Sequence, residues 1–521
     1  MKTTTAVCLL SLSVFAAERR PVLAVFPPAA VDPGGKELAL LIQARTSAVL
    51  ATTERYSDIH LKQILAMASR EGLDIEGLEP KNSDRAARLL GAERLAWGQL
   101  ERNEKGFRLK AVVSDLKKIT RVEVQLGSDL AVAVEAAAAT ISHAMLRVEG
   151  VTGFKTPPPV STKSDAAMQA FSHCYATVVR QPMGIENPAV LDAAELEVAI
   201  TQCKEALTAD PKFAPASAAL GLAYAIMGND VEALKALTPL KGADLDQPLY
   251  WIARFWEVTR YQSNDAGEAL LREAISKRPG FLLARAYLGE LLDTLGKHDK
   301  AAVAWQEFAA VAPADPYVLG RHAKSLARLG KHDEALELTK KALELEPRSR
   351  EMRLQLASRF IDAAKVDEAL PVLTALSDEP ETRGEVLLRL GWAYYLKGSM
   401  DLAAPLFEKA IVRAKSPGEW RTRGRAHYDL ALIHAKNAPA KAEAALKASL
   451  LTGFKMKDVD PSLQKIAQKI EKAELSKPAK KPAAPVVLPR EVSLFPIDTF
   501  GEVDSAATKP AAPEGFMVVH F

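Results

Sequence analysis

The chain has 521 residues, too many for one ordinary hydrophobic core, so more than one domain is expected. Hydrophobic residues make up 48% and charged residues 26%, a composition that excludes a mainly disordered or membrane-embedded protein. Lys and Arg number 68 against 65 Asp and Glu, and so even a balance argues against a nucleic-acid partner, which calls for a basic domain or stripe.

Residues 1–17 read as a secretory signal. Lys2 gives the positive start, Ala6 to Phe15 a short apolar run, and Val14-Phe15-Ala16 a cleavage site. The run is too short for a stable bilayer anchor, so no integral membrane span is expected after cleavage. The protein is placed in the periplasm or outside the cell, with an uncleaved amino-terminal anchor as the alternative. Cys8 lies inside the apolar run, not after a small-residue cleavage box, and is not read as lipid-modified. Two cysteines remain in the mature chain, Cys174 and Cys203. An oxidising compartment permits them to pair, and two buried free thiols are the alternative.

Residues 18–150 read as a small α/β domain. A strand over Pro21–Phe26 precedes a helix over Lys36–Leu50, an extended piece at Tyr56–His60 and a helix over Leu61–Arg70. Asn82 or Ser83 caps a helix over Asp84–Leu90. Three strands follow at Arg94–Arg102, Gly106–Ser114 and Ile119–Leu126, with Phe107, Leu109, Ala111 and Val113 sharing one face. A long Ala/Val helix, Asp129–Arg147, covers that sheet. The phrases Val22-Leu-Ala-Val-Phe-Pro27, Leu89-Leu-Gly91-Ala92 and Leu95-Ala-Trp-Gly98, with a strand ending at Asp115, resemble the amino-terminal domain of TolB and related bacterial envelope domains. That resemblance implies a docking module. The chain departs from it at Leu116-Lys-Lys-Ile-Thr120, where relatives often carry a Thr-Gly turn. A cap on the open end of a repeat stack is the competing reading of the domain.

A linker follows over 151–163, and its Thr156-Pro-Pro-Pro-Val-Ser161 reads as a stiff hinge between two separate domains. A repeat region spans 164–475, and within it four ladders recur at a spacing of 34 residues, in register from about 196 to 413. Small residues stand at Ala199, Ala233, Gly267, Ala301, Ala335, Ala369 and Ala403. A second ladder reads Gly221, Phe255, Gly289, Ala323, Ala357 and Gly391. Glycine marks 228, 296, 330 and 398, with Gln262 and Ala364 as exceptions, and proline marks 211, 279, 313 and 347, with Leu245 as the exception. The small positions let paired helices approach, the glycines suit left-handed helix ends, and the prolines stop the second helix of each pair. The pattern resembles the tetratricopeptide repeat family, whose period is 34 residues. It implies a mainly α protein: a right-handed superhelical solenoid of about eight helix pairs, preceded by the α/β domain. Residues 476–521 are a Pro/Ala/Lys-rich linker and a mostly disordered tail.

No catalytic motif is present: no HExxH, no phosphate loop closed by Lys-Ser/Thr, no Gly-x-Ser-x-Gly. His427 and His434, seven apart on one helix, read as surface or packing residues. Neither metal nor cofactor is expected. What remains is a groove. In this repeat family, first-helix positions beside the small residue line the concave wall, which gives Trp256, Thr259, Glu290, Asp293, Lys324, Arg328, Ser358, Trp392 and Tyr395. The paired Lys and Asn with which some relatives hold a peptide carboxylate are absent, since Glu290, Ser358 and Trp392 stand where Asn is needed. The leading reading is a non-catalytic periplasmic scaffold with a peptide or protein partner. The alternatives are an accessory subunit of an envelope assembly or export machine and, last, an enzyme with its site in the α/β domain.

Overall fold

The computed structural model describes residues 19–31, 35–75, 80–156, 162–180, 193–227, 229–240, 248–379, 382–414, 419–452 and 459–475. The signal, the three prolines of the linker, the insertion 181–192 and the tail 476–521 lie outside the described residues.

The amino-terminal part is a twisted sheet with helices on it. Its elements are β1 (Val22–Val25), β2 (Ala29–Ala30), α1 (Lys36–Ala51), β3 (Ser57–Asp58), α2 (Leu61–Glu71), α3 (Pro80–Leu89), β4 (Arg94–Asn103), β5 (Gly106–Ser114), β6 (Ile119–Leu126) and α4 (Leu130–Val148). The strand order is β3-β1-β4-β5-β6, with β2 also on β4. β1 pairs in parallel with β3 and β4, whereas β4, β5 and β6 are antiparallel. All four residues of β1 are buried, as a parallel strand covered on both faces requires. The β5–β6 turn closes without glycine. Leu116 adopts a left-handed φ of 68°, Ser114 Oγ accepts from its N–H at 3.0 Å, and Asp115 Oδ1 accepts from the N–H of Lys117 and Lys118 at 3.0 and 2.6 Å. Helix α4 is long and apolar enough to cross a membrane by composition alone, yet it packs on β5 and β6 with Ala133, Val134, Ala137 and Ile141 buried.

Among the described residues, seventeen helices follow: α5 (Asp165–Arg180), α6 (Ala193–Ala209), α7 (Ala214–Met227), α8 (Asp230–Leu237), α9 (Pro248–Tyr261), α10 (Asn264–Lys277), α11 (Leu282–Thr294), α12 (His298–Val311), α13 (Pro316–Arg328), α14 (His332–Leu345), α15 (Arg350–Asp362), α16 (Val366–Ser377), α17 (Gly384–Leu396), α18 (Met400–Arg413), α19 (Trp420–His434), α20 (Pro439–Leu451) and α21 (Gln464–Leu475). Helices α5 to α20 form eight antiparallel pairs, each packed on the next, and α21 closes the stack against α20.

The ladders have direct structural causes. The alanines of the first ladder are fully buried. At the second ladder, each glycine of a first helix lies under a side chain sixteen positions later on the second helix. A Cβ added at Gly221 would stand 2.5 Å from Leu237, and one at Gly391 would stand 2.7 Å from Phe407; at Gly289 it would strike the indole of Trp305. Where the second ladder carries the bulky Phe255, the first carries Gly267, and a Cβ at 267 would meet the Phe255 ring. Volume is exchanged across the pair, so the crossing stays close. Gly296, Gly330 and Gly398 hold φ of 68°, 75° and 78°, and Ala364 takes the same left-handed turn at 57°. A disulfide joins Cys174 on α5 to Cys203 on α6 with Cα atoms 5.4 Å apart.

The two parts are not separate modules on a hinge, as the linker suggested. One hydrophobic cluster runs without a break from Val22 through α13 at Val318. The α/β part lies along the solenoid edge where each second helix hands over to the next first helix, the positions marked by the proline ladder. Asp58 forms a parallel backbone bridge with Phe281 and a 2.8 Å ion pair with Arg278. Gly91 sits against the backbone of Asp315, and Glu346 holds Arg85 and Arg88 at 3.7 and 3.1 Å. Ser349 Oγ donates to Glu71 at 2.7 Å. At the solenoid's start, Lys62 Nζ donates to the carbonyls of Val178 and Val179 at 3.1 and 3.3 Å, at the carboxyl end of α5, and burial lowers this amine to about 7.

Two substitutions test this packing. Ala364→Gly removes the Cβ from a left-handed residue and is expected to stabilise the protein by ~0.5–1 kcal/mol in urea unfolding. Gly280→Ala places a Cβ 2.7 Å from the Tyr56 carbonyl oxygen and is expected to cost ~1–3 kcal/mol, with faster hydrogen exchange at β3.

Candidate functional site

The nine groove positions all fall on first helices: Trp256 and Thr259 on α9, Glu290 and Asp293 on α11, Lys324 and Arg328 on α13, Ser358 on α15, Trp392 and Tyr395 on α17. Several of them are occupied with one another or with their own helix rather than turned to an open wall. Thr259 donates to the carbonyls of Phe255 and Trp256 at 2.8 and 3.1 Å, and its methyl lies over Gly267 of α10, inside the helix pair. Ser358 donates to Leu354 O at 2.9 Å, back into α15. Trp256 is buried beside Phe255.

Glu290 and Asp293 tie α11 to its neighbours. Glu290 accepts from Tyr317 Oη at 2.8 Å and pairs with Arg321, both on α13. Burial pushes its carboxyl up, against the pull of Arg321. Asp293 accepts from Trp305 Nε1 at 2.9 Å and from Ser325 Oγ at 2.8 Å, and Arg328 stands 3.8 Å away. Burial alone would raise this carboxyl; the His298 imidazole, 3.6 Å away, and the cations Arg321, Arg328 and Lys324 outweigh it and hold Asp293 at about 2. A helix face this tightly packed leaves little water to solvate charges, so they pair.

Further along, on α15, α17 and α19, the face changes character. Trp392 and Tyr395 stack with centroids 5.0 Å apart and planes 13° from parallel. The guanidinium of Arg425 on α19 lies 4.8 Å over the Trp392 ring, a cation–π contact. Arg425 donates to Asp429 at 2.9 Å, and burial pushes that carboxyl up to about 6 while Arg425 draws it down. Trp392 is 7% exposed, and its Nε1–H has no hydrogen-bond partner among the described residues. Burial also pushes the Tyr395 phenol up to about 12. Arg359 on α15 pairs with Asp362 at 3.2 Å but leaves Nε and Nη1 without a hydrogen bond among the described residues. The α/β part packs on α5, α13 and α15 and meets the loop between α10 and α11 at Arg278 and Phe281.

Glu385, Arg389, Arg425 and Asp429 were not singled out from the sequence. The available signal was charge inside an apolar helical run, as in Gly384-Glu-Val-Leu-Leu-Arg-Leu-Gly391. Burial, then the nearby Glu351, pushes Glu385 up to about 8 against the pull of Arg389. The folded protein therefore holds a proton there that the unfolded chain releases above its ordinary 4.5. Stability from this group is complete below about pH 4.5 and is lost as pH rises to about 8. Glu385→Gln is expected to flatten the fall of melting temperature across that window and to melt higher than wild type at pH 8.

No curated protein matches the chain. Residues 354–419 match the model of the tetratricopeptide repeat family. Among solved structures, a tetratricopeptide repeat protein from Parabacteroides merdae is 16% identical, with 55% of this chain and 100% of that one covered at a TM-score of 0.37. MamA is 23% identical over 32% of this chain and 94% of its own, at 0.26. YrrB, titled a protein with an unusual peptide-binding site, is 16% identical over 39% and 97%, also at 0.26. Scores this low carry nothing about ligands. The family match falls within the stack of helix pairs, and the chain is thus a helical solenoid that contains tetratricopeptide repeats.

Proposed function

We propose that the protein is an exported, non-catalytic scaffold that holds a peptide or protein partner on the inner face of the solenoid, at Trp392, Tyr395 and Arg425. The observation that carries this reading is the stacked Trp392–Tyr395 pair under Arg425, with a buried indole N–H left unsatisfied. Aromatic and arginine side chains in a desolvated pocket are the groups that dominate protein interfaces. The earlier part of the same face has spent its polar groups on ties between helices. Tetratricopeptide repeats generally serve protein–protein interaction without catalysis, which agrees with the lack of a catalytic motif.

Export to the periplasm is supported by the apolar run at Ala6 to Phe15 and by the Cys174–Cys203 disulfide, a bond that persists in oxidising compartments. The resemblance of the α/β part to envelope docking domains favours a place in an envelope complex. In this fold that part is anchored to the solenoid edge, so the two act as one body.

The test uses the mature full chain as bait against envelope extract, beside Trp392→Phe and Arg425→Gln. Trp392→Phe keeps most of the packing and removes the indole N–H. A true partner is recovered by wild type and binds each variant roughly tenfold more weakly; Trp392→Phe does so at an unchanged melting temperature, whereas Arg425→Gln also melts lower because the buried Asp429 loses its cation. Equal binding by all three proteins removes the site.

A further inference from the structure

We propose that β6, the open edge of the sheet, pairs with β6 of a second copy of the chain, antiparallel about a two-fold axis through Val122. The reading stands apart from the inner-face site and does not depend on it.

β6 is eight residues long, contains no proline, and has a strand on one side only among the described residues. The direction of its free backbone groups follows from the turn before it. Asp115 N–H donates to Lys118 O at 3.3 Å, so residues 115 and 118 form a hydrogen-bonded pair. The register then runs unbroken through Ser114↔Ile119, Val112↔Arg121, Lys110↔Glu123 and Arg108↔Gln125. In an antiparallel ladder bonded and non-bonded pairs alternate, which makes these four the non-bonded ones. The backbone groups of 119, 121, 123 and 125 therefore face away from β5, and no described residue takes them up.

Exposed edges are usually guarded by proline, bulges or like charges. Here the guard is self-complementary. About Val122 the segment places Arg121 and Glu123 at symmetric positions with opposite charge, flanked by the β-branched Thr120 and Val124. In the two-fold register, Arg121 of each copy stands opposite Glu123 of the other, as a hydrogen-bonded pair with both backbone bonds made. Thr120 faces Val124, and Val122 faces its own counterpart. The sheet already alternates in sign across this face: Glu101 on β4 binds Lys110 on β5 at 2.7 Å, and Arg108 on β5 stands 3.5 Å from Glu123 on β6. A next strand that continues the alternation needs a cation opposite Glu123, and Arg121 supplies it. Arg121 is exposed and makes no ion pair among the described residues. On the other face, Val122 and Val124 are half-buried against the core at the edge, and a second strand would complete their cover. The product is one sheet running through two copies, each carrying a solenoid.

The experiment is sedimentation equilibrium of the mature full chain across a range of concentrations. Wild type is expected to associate reversibly to twice the monomer mass. Arg121→Glu sets carboxylate against carboxylate, Glu123→Arg sets guanidinium against guanidinium, and each is expected to weaken self-association at least tenfold. An equimolar mixture of the two variants restores a carboxylate opposite a guanidinium at both cross-strand pairs, and association should return. Glu123→Pro deletes an outward N–H without touching a bond to β5 and should leave a monomer with wild-type circular dichroism. A wild-type monomer at every concentration overturns the proposal. So does a dimer indifferent to these changes, or a mixture that stays monomeric.

Discussion

Two helices can cross closely only where one of them gives up its side chain, and the whole solenoid rests on that exchange. Gly221 lies under Leu237, Gly289 under Trp305 and Gly391 under Phe407, always sixteen residues apart. Phe255 shows that the constraint acts on the pair and not on the position. Gly267 on the facing helix leaves room there for the Thr259 methyl and for the Phe255 ring. Repetition of the crossing every 34 residues stacks the pairs and gives them one continuous inner face.

Close stacking has a cost on that face, because charges brought between helices lose their water. The chain meets it by pairing them across and along helices: Glu290 with Arg321, Asp293 with Trp305 and Ser325, Arg425 with Asp429. The ties between helices fix the angle between neighbouring repeats. They also remove most of the inner face from the supply of free binding groups, and the aromatic pair on α17 stands out for that reason. The α/β part uses the other product of the repeat, the row of handover loops at Pro279, Pro313 and Pro347. Those loops bring Arg278, Asp315 and Glu346 to one edge at regular intervals, and a rigid sheet can lie along them.

Much of the fold was legible because its causes are local or periodic. The four ladders marked the pairs, and Ala364, an exception to the glycine ladder, still adopts the glycine conformation because the turn demands it. Alternation in Phe107, Leu109, Ala111 and Val113 placed β5, and the neighbouring strands and α4 stand within a few residues of their expected bounds. The docking of the α/β part was not legible. Asp58 and Arg278 are 220 residues apart and belong to no repeat, so nothing in the sequence links them. The linker prolines suggested independence instead. For the groove, helical phase placed the nine residues on first helices but did not show what each side chain packs on. Thr259 turned into its own helix pair, Ser358 bonded its own backbone, and Asp293 bridged two neighbours. Whether Cys174 and Cys203 pair depended on a distance that spacing alone could not supply.

The sheet and the first repeats form one cooperative core, which native-state hydrogen exchange tests most directly. Amides of β1 (Val22–Val25) and of α11 (Leu282–Thr294) should exchange with the same opening free energy and the same denaturant dependence. If β1 opens at its own lower free energy while α11 stays protected, the two parts are independent and the shared core is contradicted.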